Sequence, residues 1–178
     1  MKKMILSVIV LSLMMPALAQ GLVVSFGDSS GSKGDTVKIP IQLDGASNVG
    51  AMDILLKYDK AILRARAIEA GELGKNALLE SNISDNGEVR IVLADAQGIN
   101  GKGSIAVITY EVIGEVGSTS KLNLERTLVS NLELVDVIVT TKDGTFSVTE
   151  KAFPLFYIIV IMAIIAIIAG IFVVKKRK

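Results

Sequence analysis

A two-residue alternation of apolar side chains is the feature that most constrains how this chain can fold. In the stretch Asn48–Leu63, four large side chains fall on one face of an extended segment: Met52, Ile54, Leu56 and Tyr58. Successive side chains of a β-strand point to opposite faces, so this pattern is typical of a strand that is buried on one side. Helical periodicity is nearly absent between residues 20 and 151, and we therefore expect an all-β domain.

The opposite face of the same stretch is mixed. It carries Ala51, Asp53, Leu55 and Lys57, which places a carboxylate beside an apolar side chain and a cation. A face in contact with water alone seldom holds a large apolar residue such as Leu55, and a fully buried face would not hold Asp53 and Lys57. We expect this face to be a surface that another molecule contacts.

Further strands are predicted wherever β-branched runs alternate between turns rich in Gly, Asn and Asp. They are Leu22–Phe26, Thr36–Asp44, Leu63–Ala70, Ala77–Ile83, Glu88–Ala94, Ser104–Ile113, Lys121–Leu128, Leu134–Thr140 and Gly144–Thr149. Asp85-Asn86-Gly87 predicts a hairpin turn, because Asn and Gly tolerate the positive φ of a tight turn, and Asp143-Gly144 predicts another turn. Pro40 lacks an amide hydrogen and predicts an edge or a bulge. The whole pattern favours a β-sandwich of about nine strands, with Gly27–Asp35 as a flexible loop.

The two ends of the chain differ from this domain. Residues 1–19 combine a basic start, an apolar run and Ala17-Leu18-Ala19, which is the pattern of a secretory signal peptide. Residues 152–174 carry no charge and are numerous enough for a transmembrane helix, and the basic tail 175–178 marks the cytoplasmic side. We therefore expect a single-pass protein of the cell membrane whose β domain, residues 20–151, faces outside.

Composition argues against several functions. The chain has no histidine and no cysteine, which removes the usual nucleophile systems of hydrolases and the usual zinc ligands. Asp53 with Asp95 is the carboxylate pair to consider for glycoside hydrolysis, but nothing in the sequence marks a cleft, so we expect no enzyme.

Six of the 19 basic residues lie in the terminal segments, which leaves 13 basic against 18 acidic residues in the domain and argues against nucleic-acid binding. No calcium-loop motif is present, so we expect neither a metal nor a cofactor.

Two alternatives to protein binding stay open. The first is a carbohydrate-binding sandwich module, for which the domain has four aromatic side chains: Phe26, Tyr58, Tyr110 and Phe146. Tyr58 and Tyr110 lie on faces predicted to point inward, so the residues support direct polysaccharide binding poorly. The second alternative is a structural envelope protein that uses the fold for self-assembly. Asn82-Ile83-Ser84 is the sole N-glycosylation sequon.

The order of several motifs resembles a cohesin domain, the module that captures dockerin domains in cellulosome-type assemblies. The resemblance covers most of Leu22–Thr149 and rests on Gly34–Val37 with Ile39–Ile41, Gly50–Asp53, Tyr58–Leu63, Val92–Asp95 with Gly98, Ser104–Val112 and Asp143–Phe146. It implies a sandwich of about nine strands with jelly-roll topology. It also implies that one flat sheet face docks a helical, calcium-loaded dockerin, so that any calcium belongs to the partner.

The same resemblance places the docking face on the outward side of two predicted strands and on the loop after the second. Its residues would be Ala51, Asp53, Leu55, Arg90, Val92, Asp95 and Gly98. Type I cohesins often carry an Asn-x-Asp pair that hydrogen-bonds the dockerin helix, whereas this chain has Ala51-Met52-Asp53 and keeps only the acid. The type I pairing rules are therefore not carried over. The sequence as a whole predicts a non-catalytic cell-surface module that docks a secreted dockerin-bearing partner, with polysaccharide degradation as its setting.

Overall fold

A computed structural model describes residues 21–151 and Met162. The signal peptide predicted at residues 1–19, the transmembrane helix predicted at 152–174 and the tail at 175–178 lie outside the described residues, apart from Met162. Among the residues that are described, no helix is long and apolar enough to cross a membrane.

Nine β-strands form the domain, and alternating side chains set the face that each strand buries. The strands are β1 (Leu22–Phe26), β2 (Ser29–Ser32), β3 (Thr36–Lys57), β4 (Leu63–Ala70), β5 (Leu78–Ile83), β6 (Glu88–Val112), β7 (Thr119–Asn131), β8 (Val139–Lys142) and β9 (Gly144–Thr149). In β1 and β9 every second residue is buried, as strands on one side of a core require. The prediction of an all-β domain is confirmed.

Two strands are much longer than the sequence predicted. β3 has 22 residues and β6 has 25, because each joins two segments that we expected to be separate strands. The polar, glycine-rich segments between them do not end the pairing of β3 with β6, which continues through several register shifts. Gly45, Asn48, Gly98 and Gly101 all have positive φ in this region. The paired ribbon therefore bends at these residues instead of breaking.

The bend divides the strand pairing into two sheets. In the first sheet, β8, β1, the first half of β3, the second half of β6 and β4 lie side by side. In the second, the order is β5, the first half of β6, the second half of β3, β7, β9 and β2. Because β3 and β6 take part in both, the two layers are one continuous structure, and the predicted sandwich is confirmed.

The apolar core lies between the two sheets. Its fully buried side chains come from both layers and include Ile41, Leu43, Ile108, Ile54, Leu56 and Ile91. Burying a large apolar side chain fully stabilises a fold by about 1.5–3 kcal/mol. Tyr58 and Tyr110 are buried as well, and their rings meet edge to face with centroids 5.1 Å apart. Their predicted inward orientation is therefore confirmed.

The flexible loop predicted at Gly27–Asp35 is wrong at its centre. The four residues of β2 pair there in parallel with β9. Small side chains make this possible, because a Cβ atom on Gly31 would lie 2.8 Å from Val37 Cγ1 and 3.3 Å from Phe146 Cζ. A run of Ser and Gly is typical of a loop, but here it forms a short edge strand that lies close against the core.

The strand predicted at Leu134–Thr140 is wrong over most of its length. A turn replaces it, in which the backbone N–H of Leu134 donates to the carbonyl of Asn131 and that of Val135 donates to Asn131 Oδ1 at 2.8 Å. Leu134 has a φ of +60°, and Ile138 is 91% exposed. A single antiparallel bridge joins Asp136 to Ser130, and a regular strand resumes only at β8, beside β1.

The two predicted turns differ in what they connect. Asp85-Asn86-Gly87 closes the hairpin between β5 and β6, as predicted, with Gly87 at a φ of +87°. Asp143-Gly144 instead carries the chain from one sheet to the other, since β8 pairs with β1 whereas β9 pairs with β7. Pro40 pairs with β6 but lies beyond the end of β1 and close to a register shift, so the structure has both the edge and the bulge that its missing amide hydrogen predicts.

Candidate docking surface

Four strands of the second sheet present one continuous face away from the core. Directly opposed residues of neighbouring antiparallel strands share a face, and the registers of β5, β6, β3 and β7 place twelve side chains there in three rows. From β5 to β7 the rows read Leu78, Ala94, Ala51, Ser130; then Glu80, Val92, Asp53, Leu128; then Asn82, Arg90, Leu55, Arg126. We call these twelve residues the outer face.

Five of the seven residues predicted for docking lie together on the outer face. Ala51, Asp53 and Leu55 project from β3, and Arg90 and Val92 project from β6. The three β3 residues are half-buried because β6 and β7 flank them on both sides, whereas Val92 is 37% exposed. The structure therefore places the predicted β3 residues at the centre of the outer face.

The other two predicted residues, Asp95 and Gly98, lie past the end of the outer face. The loop expected between them is a bulge within β6. Asp95 Oδ1 accepts the backbone N–H of Gln97 at 2.8 Å, so the carboxylate is engaged in its own turn. Gly98 has a φ of +79°, and a Cβ atom there would lie 2.9 Å from Asn48 Oδ1. Both residues line a polar cleft of about 460 Å³ at this end of the sheet.

Asp53 is held by arginines from both neighbouring strands. Arg90 donates its Nε–H to Asp53 Oδ1 at 3.0 Å and an Nη2–H to Oδ2 at 2.8 Å, and Arg126 donates an Nη2–H to Oδ2 at 3.3 Å. The hydrogen bonds from Arg90 are the main reason that the pKa of the Asp53 carboxyl lies below its usual value. Burial is the next-largest effect and acts in the opposite direction, and the charges of Arg90 and then Arg126 lower the pKa further. Asp53 is therefore an ionised and anchored side chain.

Arg126 and Leu128 belong to the outer face but were absent from the sequence-based prediction. Both project from β7 on the outward side, and Leu128 is 58% exposed. β5 adds Leu78, which is 67% exposed, and Glu80. The signal was present in the alternation of the predicted strands, but only the register shows that β7 and β5 flank β3 and β6.

The sequence of the whole domain can now be compared with those of known families. The family model of the cohesin domain matches residues 22–148. This chain belongs to the cohesin domain family. Cohesin membership agrees with the sandwich of nine strands.

Solved cohesins share this fold at low sequence identity. A non-cellulosomal cohesin from the hyperthermophilic archaeon Archaeoglobus fulgidus is 23% identical, with a TM-score of 0.69 over 74% of this chain and 93% of that one. The sixth cohesin of scaffoldin B from Acetivibrio cellulolyticus, in complex with a Cel5 dockerin, is 20% identical, with a TM-score of 0.67 over 72% of this chain and 99% of that one. These similarities show the fold.

One curated relative is much larger than this chain. Cellulose-binding protein A of Clostridium cellulovorans is 26% identical over 91 residues, which are 48% of this chain and 5% of that protein. The match therefore concerns one module of a long protein.

The described residues give little support to the other kinds of site considered from the sequence. Asp53 was the residue considered with Asp95 for glycoside hydrolysis. Its lowered pKa does not suit a general acid, and its carboxylate is paired with Arg90 and Arg126, which does not suit a nucleophile or general base. The aromatic side chains of residues 21–151, which a sugar-binding platform would need, are all buried: Phe26, Tyr58, Tyr110 and Phe146. Within the same residues, no group of three or more acidic side chains is placed to hold a metal ion.

Proposed function

We propose that this cohesin is a non-catalytic binding module that docks the dockerin-like domain of a secreted partner on its outer face. The observation that carries the proposal is the composition of that face. Exposed or half-buried apolar side chains, Leu55, Val92 and Leu128, surround an ion cluster at the centre of a four-stranded surface. Apolar anchors combined with fixed polar groups are typical of protein interfaces. The complex of the Acetivibrio cellulolyticus cohesin with a dockerin supports the choice of partner.

The dimensions of the outer face suit a helical partner. Neighbouring strands lie about 4.8 Å apart, so its four strands span about 14 Å, and its three rows extend about 13 Å along the strands. An α-helix with its side chains is about 10–12 Å across. One dockerin helix can therefore lie on the face, with its apolar stripe on Leu55, Val92 and Leu128. Calcium belongs to the dockerin in this proposal.

The proposed setting is the outer surface of the cell membrane. It rests on the sequence of residues 1–19, 152–174 and 175–178, and the domain is consistent with it. Lys151 Nζ lies 3.5 Å from Asp35 Oδ1, and β9 runs antiparallel to β7, so the chain leaves the domain at the end of the sheet opposite the Asp95–Gly98 bulge. A partner on the outer face would therefore sit beside the membrane. A role beside polysaccharide-degrading enzymes is supported by the similarity to Cellulose-binding protein A.

Binding of purified dockerin modules by the full chain, kept in mild detergent, tests the proposal. The double variant Asp53→Lys with Leu55→Asp reverses the central charge and adds a carboxylate to an apolar position, and we expect it to weaken binding by about 100-fold or more. The matched control, Asp44→Lys with Val116→Asp, makes equivalent changes of charge and polarity at accessible sites outside the outer face. We expect the control to bind normally, and urea unfolding shows whether both variants stay folded.

Two results would count against docking on this face. One is equal binding by the two double variants while both unfold cooperatively. The other is a complete lack of binding to calcium-loaded dockerin modules, which would favour self-assembly as an envelope protein. Saturable binding to an insoluble polysaccharide would favour the sugar-binding alternative, although the burial of Tyr58 and Tyr110 argues against it.

A further inference from the structure

Hydrogen bonds occupy most of the acceptor positions of the Asp53 carboxylate at the centre of the outer face. Asp53 accepts three N–H groups, two from Arg90 and one from Arg126. A carboxylate has about four acceptor positions, so only about one remains. The Asp53 side chain is also just 22% exposed. Asp53 therefore has little capacity left to accept hydrogen bonds from a partner.

The two arginines around Asp53, in contrast, keep most of their N–H donors available for a partner. A guanidinium carries about five N–H donors, and within the described residues Arg90 gives two to Asp53 while Arg126 gives one. Their side chains remain 55% and 47% exposed. Leu55 lies between them, since its register partners are Arg90 on β6 and Arg126 on β7. The third row thus presents two sets of free donors on either side of an apolar residue.

Among the described residues, Asp53 is the one carboxylate that forms an ion pair with Arg90 or Arg126. Lys57 and Glu88 lie just beyond the third row and form an ion pair with each other at 3.7 Å. Glu80 is the one further acid of the outer face, and it stands on the edge strand β5, opposite Val92. A shallow depression of about 260 Å³ between β5 and β6 extends from Glu80 to Arg90 and leaves room for a partner side chain.

We propose that the outer face selects partners that present carboxylates, with Arg90 and Arg126 as its specificity-determining residues. This inference rests on the proposed function and deepens it. Asp53 acts as a positioning residue, because it fixes both guanidinium groups above the sheet without itself contacting the partner. An acidic residue on the docked helix would then pair with the two arginines, while an adjacent apolar residue would contact Leu55. Buried or half-buried charge-assisted hydrogen bonds of this kind distinguish strongly between opposite charges.

A panel of calcium-loaded dockerin modules whose helix surfaces range from acidic to basic tests the inference on the full chain. We expect binding to follow acidity and to weaken as salt is raised from about 50 to about 500 mM, which shortens the screening length about three-fold. Arg90→Gln and Arg126→Gln should each weaken the tightest complex by about ten-fold, the size expected for one charge-assisted hydrogen bond. Arg90→Glu with Arg126→Glu should reverse the order and favour basic modules.

The matched control is Arg64→Glu with Arg66→Glu, which removes two exposed arginines that pair with Glu111 on the other sheet. The control should leave the order of the panel unchanged. Binding that ignores acidity, or that favours basic modules in the unchanged chain, overturns the carboxylate preference but leaves docking intact. Failure of every module to bind overturns the proposed function itself, and the inference with it. The milder glutamine variants keep the test valid if the double glutamate variant unfolds.

Discussion

Arg90 clamps Asp53 from the neighbouring strand with two hydrogen bonds, from Nε–H at 3.0 Å and from Nη2–H at 2.8 Å. The two residues are not directly opposed, because Asp53 is paired with Val92 and Arg90 with Leu55. The arginine therefore reaches diagonally across the outer face to the acid. This geometry makes Asp53 the anchor of a cationic group.

Replacing Asp53 by asparagine should show that its ion pair with Arg90 contributes to stability in a pH-dependent way. The pKa of Asp53 is lowered in the folded domain, so its carboxylate stabilises the fold fully above the ordinary Asp pKa of about 3.9 and loses that effect as the pH falls through the lowered value. We expect Asp53→Asn to lower the urea midpoint by a constant small amount above about pH 5, and the difference from the unchanged chain to shrink below about pH 4.

Ser130→Ala is the control for that series, because it changes an uncharged residue of the same outer face. Its effect on the midpoint should not depend on pH. A difference for Asp53→Asn that stays constant down to pH 3, or that grows as the pH falls, would mean that the ion pair does not contribute as its geometry indicates.

The two buried tyrosines should respond differently to loss of the hydroxyl group. Tyr58 Oη accepts the buried backbone N–H of Ala65 at 3.3 Å, whereas Tyr110 Oη has no hydrogen-bond partner within the described residues. Burial raises the pKa of the Tyr110 phenol above its usual value, so that ring stays neutral. We expect Tyr58→Phe to cost about 1–3 kcal/mol in urea unfolding and Tyr110→Phe to cost less than about 0.5 kcal/mol. A larger loss for Tyr110→Phe would show that its hydroxyl is satisfied in solution.

Two glycines with the same positive φ allow the steric cost of an added methyl group to be separated from the conformational cost. Gly87 and Gly117 both have a φ of +87°, but a Cβ atom on Gly87 would lie 2.6 Å from the Tyr58 carbonyl oxygen, whereas nothing lies within 4 Å of one on Gly117. Gly117→Ala should cost about 1 kcal/mol through the left-handed conformation alone. Gly87→Ala should cost at least about 1 kcal/mol more, because the β5–β6 hairpin must shift. Equal costs in chemical denaturation would show that the hairpin absorbs the methyl group without strain.

Local alternation was enough to predict the strands that bury one side. Met52, Ile54 and Leu56 repeat every second residue because one sheet packs on the other, and this repeat is visible in the sequence itself. The continuous course of β3 and β6 was not visible. Polar, glycine-rich segments usually end strands, whereas these two stay paired with each other through the bend, which is a property of the pair.

The part of the site that lies on β3 was predictable from the sequence, and the parts on the other strands were less so. Asp53 and Leu55 stood out because their face mixes charge with apolar character, but the partners of Asp53 depend on which strands flank β3. Arg126 is 73 residues away in the chain, and only the register of β7 brings it to Asp53. Asp95 and Gly98 were assigned by resemblance, and the structure places them in a bulge that faces a different cleft.

The most direct measurement of the central claim is methyl NMR of the full chain during titration with a calcium-loaded dockerin module that binds it. If the outer face is the docking surface, the methyl signals of Leu55, Val92 and Leu128 should shift or broaden. Those of Val107 on the first sheet and of Val116, which is 55% exposed on a turn, should stay in place. Perturbation of Val107 or Val116, with the three outer-face residues unchanged, would place docking elsewhere on the molecule and contradict the account.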